Sequence, residues 1–268
     1  MTRIAAFFDL DGTLVDGPSL EKRLLRLLRR QGTLRLRNYL AWLRESLRLS
    51  PRGINAVLYG NKAWLRGIGE SQADALTIPP FFPPAVKQVA WHAGQVHAVV
   101  IISGTLEPLA MSAADILEEE LASRGISANI EVIATRLEAA AGSWTGRIVG
   151  EAMFGEAKAR AMRRFAAARD VDLTRCFAYG DSTHDRWMLE TAGNAVAINP
   201  SSDLARIAAR NGWEILRWDA ATTQSESSSQ LGRAGDGRDS RQFPEKQNFS
   251  VRIGDAAHIS AARRWDGS

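Results

Sequence analysis

The stretch AAFFDLDGTLVDG, residues 5–17, runs apolar side chains straight into Asp9 and Asp11 and then breaks at Gly12. A short apolar run stopped by a turn signal reads as a buried strand, here residues 3–8. Two carboxylates one residue apart at its end repel each other unless a cation, a shared proton or open water relieves them. The arrangement recurs along the chain. HAVVII (97–102) reads as a second strand and closes on Ser103, Gly104 and Thr105, while CFAYG (176–180) reads as a third and closes on Asp181 and Asp185. A fourth, AVAIN, covers 195–199, and helical stretches separate them: 85–93, 106–125, 156–170 and 184–193. Strands alternating with helices define an α/β fold with a doubly wound parallel sheet.

In such a sheet, ligands bind beyond the carboxyl ends of the strands. Four carboxylates (Asp9, Asp11, Asp181, Asp185) and the hydroxyls of Ser103 and Thr105 are therefore expected at one crevice. Lys158, in the first turns of its helix, has a stem long enough to join them. Crowded carboxylates call for a cation, and a small all-oxygen set favours Mg²⁺ over Ca²⁺. Taken singly these signals are weak: D-x-D-G is often only a turn, Ser before a helix only a cap, and a lone Lys only a surface residue. Their order, each at the correct end of its element, is what carries weight.

Between the first strand and residue 82 the periodicity is helical. Leu20, Leu24, Leu27 and Leu28 share one face, as do Leu36, Leu40, Leu43 and Leu47, and a third helix is expected over 54–65. The prolines of TIPPFFPPAV end this block. From Pro18 to Glu70 twelve Lys and Arg face three Glu, a local charge of +9. A solvated helix face is the simpler reading, attraction to an anionic ligand, lipid surface or nucleic acid the sharper one. Tyr39, Trp42 and Trp64, interleaved at helical spacing, are expected in the core. Residues 130–150 read as a hairpin turning at Gly142, and the Ser-, Gly- and Arg-rich stretch after Asp219 reads as disordered. Cys176, the single cysteine, forms no internal disulfide. MTRIAAFF meets acid too early for a signal peptide, and no apolar run reaches the ~20 residues a bilayer requires, so a cytoplasmic location is expected.

The segments DLDGT, IISGT, the lysine of GEAKARAM, and YGDSTHD resemble, in order, the four motifs of the haloacid dehalogenase (HAD) superfamily. The helical block after the first motif resembles a type I cap. With the WTGRIVG hairpin, the likeness is to subfamily IB, the phosphoserine-phosphatase-like branch, over about residues 3–218. The resemblance implies a HAD-like Rossmannoid core at 1–15 and 82–219, a helical cap at 16–81 and a tail at 220–268 outside it. It further implies a Mg²⁺-dependent phosphatase working through an aspartyl-phosphate on a small phosphomonoester. By motif position, Asp9 would be the nucleophile and Asp11 the general acid and base. Ser103, Gly104 and Lys158 would hold the phosphate. Asp9, Asp181 and the backbone carbonyl of Asp11 would ligate Mg²⁺, and Asp185 would orient Lys158 or metal-bound water.

Phosphoserine-specific members place a substrate-binding Glu nine residues beyond the nucleophile. Here that position is Pro18, and His184 and Thr105 replace a usual Asn and Gly, which points away from phosphoserine. His184 is left unassigned. Phosphoserine phosphatase proper is one alternative. A membrane-associated phosphatase, or an anion-binding module using the basic block, is another. Nucleic acid is not expected as a partner, peripheral contact with an anionic membrane stays open, and so does the oligomeric state.

Overall fold

Apolar residues that alternate sides along each strand decide the architecture. The computed structural model describes residues 3–219 and a two-residue strand at Arg263–Arg264. Strands β1 (Ala5–Phe8), β2 (Ala98–Leu106), β3 (Ile130–Ala140), β4 (Ser143–Val149), β5 (Phe177–Gly180), β6 (Asn194–Ile198) and β7 (Glu214–Leu216) form one sheet in the order β4-β3-β2-β1-β5-β6-β7. Only β4 runs antiparallel to its neighbour on this path. In β1, Ala6 and Phe8 face one buried cluster while Ala5 and Phe7 face the other, as the two-residue repeat of a strand requires. Helices α1 (Leu20–Arg30), α4 (Pro83–Gly94) and α5 (Glu107–Ala122) cover the first face. Helices α6 (Glu156–Arg169), α7 (Arg186–Thr191) and α8 (Ser202–Asn211) cover the second. Two further helices, α2 (Leu36–Leu49) and α3 (Ile54–Gly60), follow α1 in the same excursion from the sheet.

This excursion leaves and returns at one place. Phe82 donates its backbone N–H to Leu14 O at 2.9 Å, and Phe81 bridges Val15. The hairpin of β3 and β4 turns at Ala141 and Gly142, both at positive φ, and packs on the excursion: Gly67 N–H donates to Trp144 O and Trp144 N–H to Ile68 O.

Several expectations are corrected. The helix expected over 54–65 ends at Gly60; Asn61 turns the chain, and Ala63–Leu65 form a separate 3₁₀ turn. The second strand does not stop before Ser103 but continues to Leu106 through a register shift, so α5 begins four residues after Ser103. Helix α8 and strand β7 extend the sheet beyond the last strand read from the sequence; a three-residue strand is too short to display a period. The segment 220–268, expected to be disordered, lies outside the described residues except at Arg263–Arg264. There the backbone pairs in parallel with Glu131 and Val132 of β3, which departs from that expectation at those two positions. The half of β3 not covered by β4 leaves an edge with unpaired backbone groups to receive them.

The largest departure lies in α2. Tyr39 and Trp42 are half-exposed rather than core, whereas Trp64 is buried. The leucines at 36, 40, 43 and 47, which the periodicity groups on one face, are all exposed.

One buried polar cluster makes a pH prediction. His92, on α4, takes no solvent contact; Tyr179 Oη lies 2.8 Å from its Nε2, His97 Nδ1 lies 2.9 Å from its Nδ1, and Gln88 donates to Tyr179 Oη. Burial first, and His97 second, push its pKa down to about 3. An unfolded His92 gains a proton near pH 6.5 that the folded one refuses, so stability falls as pH drops below that value. The loss reaches about 2 kcal/mol by about pH 5. Thermal unfolding followed against pH will show a shallower acid slope in His92→Gln than in the unaltered chain.

Candidate active site

The turn after β1 is tight. Leu14 and Val15 N–H both donate to Leu10 O, and Gly12 adopts φ +89° and donates to Val15 O. This folds Asp9, Gly12 and the following loop against the end of β5, where Asp9 N–H donates to Tyr179 O at 2.9 Å. A Cβ on Gly12 would sit 2.3 Å from Asp181 Oδ2, so only glycine lets the loop lie this close to that carboxylate. A Cβ on Gly180 would likewise lie 2.4 Å from Asp185 Cβ.

Lys158 enters from α6, and its ammonium is almost completely buried. Nζ donates to Asp9 Oδ1 at 2.5 Å and to Asp185 Oδ1 at 2.6 Å. Asp185 Oδ2 accepts from Ser182 N–H at 3.1 Å and from Ser182 Oγ at 2.9 Å, so both its oxygens are engaged. One oxygen each of Asp9, Asp181 and Asp185 lies within 4.8 Å of the others. Burial pushes Asp9 well above the usual carboxylate range against the pull of Lys158, with Asp185 and Asp181 adding to the rise. Asp181 is pushed up to about 7 by burial and by Asp185. For Lys158 burial favours the neutral form, but Asp185 and Asp9 outweigh it and hold the ammonium charged.

Asp11 stands apart from this triad. Its Oδ1 accepts from Leu20 N–H at 2.8 Å, at the start of α1, and burial raises it to about 6 despite that bond. Ser103 is buried within β2, with its Oγ accepting from Thr105 N–H at 3.2 Å. Thr135 Oγ1 donates to Gly104 O and accepts from Met153 N–H, pinning the irregular stretch of β2 between Ser103 and Leu106. The hydroxyls of Thr13 and Thr105 are buried without a hydrogen-bond partner among the described residues. The structure thus brings Asp9, Lys158, Asp181 and Asp185 into one cluster, with Asp11 bonded to the start of α1 and Ser103 and Gly104 inside β2. The sequence closes the strand on Ser103, Gly104 and Thr105, whereas in the structure all three lie within β2, which runs on to Leu106.

Two pairs at the excursion's inner side escaped the sequence. Tyr59 Oη of α3 lies 2.7 Å from His184 Nε2, beside Asp185, and Phe154 packs on both rings. Lys62 Nζ is buried and clasps both oxygens of Glu21, whose charge in turn acts on Asp11. No spacing signal could have joined Tyr59 to a histidine 125 residues away.

The comparisons agree with this geometry. A family model of haloacid dehalogenase-like hydrolases matches residues 6–190, and the chain belongs to that family. Within it the chain is phosphoserine-phosphatase-like. It is 32% identical over 249 residues to the phosphoserine phosphatase SerB1 of Mycobacterium tuberculosis, spanning 86% of this chain and 77% of that one. A probable phosphatase of the same organism is 29% identical over 227 residues, spanning 80% and 75%. A protein of unknown function from Bordetella pertussis has the same fold, with a TM-score of 0.63 at 23% identity over 81% of this chain and 99% of its own. Among the described residues no helix is long and apolar enough to cross a membrane.

Proposed function

We propose that the chain is a Mg²⁺-dependent phosphatase that hydrolyses a small phosphomonoester through an aspartyl-phosphate on Asp9. The observation that carries this reading is the buried bridge from Lys158 to Asp9 and Asp185, at 2.5 and 2.6 Å. It fixes one oxygen of Asp9 and leaves Oδ2 without a partner among the described residues, available to attack phosphorus. A carboxylate approaching a phosphate dianion needs its repulsion offset, and Lys158 places a permanent positive charge beside it.

The donor set fits a hard divalent cation: every candidate ligand is a carboxylate or carbonyl oxygen, and Gly12 leaves Asp181 directly against the Asp11–Gly12 turn. Asp9, Asp181 and the backbone carbonyl of Asp11 would hold it. Asp185, with both oxygens engaged, would orient Lys158 instead. Bound there, Mg²⁺ would supply charge neutralisation and alignment of the phosphoryl oxygens.

Asp9 Oδ2 bonds to phosphorus as the ester P–O bond breaks, and Asp11 gives its proton to the departing alkoxide. Asp11 then takes a proton from water as that water attacks phosphorus, which breaks the Asp9–phosphate bond and restores both carboxyls. Ser103, Gly104 and the unpartnered hydroxyl of Thr105 would line the phosphate seat. Residues 16–81 would act as the cap over it, with Tyr59 and the Glu21–Lys62 pair reading the leaving group.

Chelation tests the metal requirement. Phosphate release from p-nitrophenyl phosphate should vanish after EDTA treatment and return with Mg²⁺ but not with Ca²⁺, whose looser coordination fits a compact site poorly. Turnover that persists at full rate after exhaustive chelation would refute the assignment. With Pro18 in place of a substrate-binding Glu, phosphoserine should be hydrolysed no faster than unrelated monoesters in the same assay.

A further inference from the structure

Helix α2 is packed the wrong way round for a core element. Its two buried residues are Asn38 and Leu49. Asn38 Nδ2 donates to Trp64 O and Arg66 O, both at 2.9 Å, and Asn61 Nδ2 reaches Trp42 O and Ser46 Oγ from the same side. The inward side is therefore held largely by polar bonds, while the outward side is leucine. Leu36, Leu40, Leu43 and Leu47 are 73%, 56%, 50% and 68% exposed. At 3.6 residues per turn these four fall in one narrow arc, and positions 37, 44 and 48 fall together about a quarter-turn away. Arg37 and Arg44 there form no ion pair among the described residues, whereas Arg48 is clasped by Glu45.

We propose that the outward face of α2 docks on the surface of an anionic lipid bilayer. A ridge of leucines flanked by arginines matches the boundary between acyl chains and phosphate headgroups, which accepts an apolar stripe and pairs with its cationic flank. The charge of the surrounding block selects this occupant. A second copy related by a two-fold axis would set a +9 segment against its like. Nucleic acid would neutralise the arginines and leave the leucine ridge in water. The inference is independent of the chemistry at Asp9, although α3, which follows α2, carries Tyr59 to the crevice and so links the docked face to the site.

Flotation of the full chain with phosphatidylcholine vesicles, with and without about one-third phosphatidylglycerol, tests the proposal. The chain should float with the anionic vesicles at low salt, stay behind with the neutral ones, and be largely released at about 0.5 M NaCl. Leu40→Gln/Leu43→Gln and Arg37→Gln/Arg44→Gln should each lower the bound fraction roughly tenfold. Both should keep the melting temperature and the vesicle-free turnover of p-nitrophenyl phosphate. Failure of the unaltered chain to float at low salt would overturn the proposal, as would equal binding to neutral vesicles or full binding by both double variants. A dimer in sedimentation velocity that the leucine variant dissolves, without any flotation, would assign the ridge to a second copy instead.

Discussion

Asp9→Asn will reduce phosphate release by about ten-thousand-fold or more, the scale on which removing an attacking group from a cooperating set is felt. The amide keeps the shape of the carboxylate and removes its nucleophilic charge. Stability separates this from a folding defect. Burial and two neighbouring carboxylates already push Asp9 toward the neutral form, so a neutral amide there removes repulsion while Asp185 still holds Lys158. The variant should melt no lower than the unaltered chain. Activity within tenfold of the original would dismiss Asp9 as the attacking group.

Lys158→Met carries the second large effect, this time on the fold as well as the rate. Met fills most of the same space without the charge. Its introduction leaves Asp9 and Asp185 buried and facing each other, and removing one partner of a buried ionic set costs about 3–5 kcal/mol. Urea denaturation should show that loss as a lowered midpoint with an unchanged slope. Adding Asp185→Asn to Lys158→Met should restore part of the stability, because one uncompensated carboxylate disappears; strict additivity of the two losses would mean that the pair is not coupled. Turnover should stay abolished in both variants, since under the proposed function Lys158 would offset charge on the phosphate as well as on Asp9.

The parts of this fold that are legible in the sequence are those where one physical demand dominates. Strands β1, β2, β5 and β6 are written as short apolar runs because they are largely buried, and β1 and β5 lead directly into Asp9 and Asp181, which come together at the crevice. The residues past Ser103 are illegible as strand, because Gly104 and Thr105 read as a turn, whereas β2 carries on through an irregularity at these two positions and pairs with β3 again at Leu106. The leucine face of α2 misleads for a different reason: periodicity reports that a helix has an apolar side and is silent on what that side faces. The Glu21–Lys62 pair and the Tyr59–His184 contact lie between distant segments, and nothing local announces them.

The stitch from Phe82 to Leu14 has a consequence for how such a molecule can diversify. Departure and re-entry of the helical excursion lie side by side, so its length and content are free of the strand register. Turns could be added to α1–α3, or the whole loop exchanged, without sliding any strand past its neighbour. Under the proposed function, bond cleavage and choice of leaving group would thus be housed in separately editable pieces of one chain.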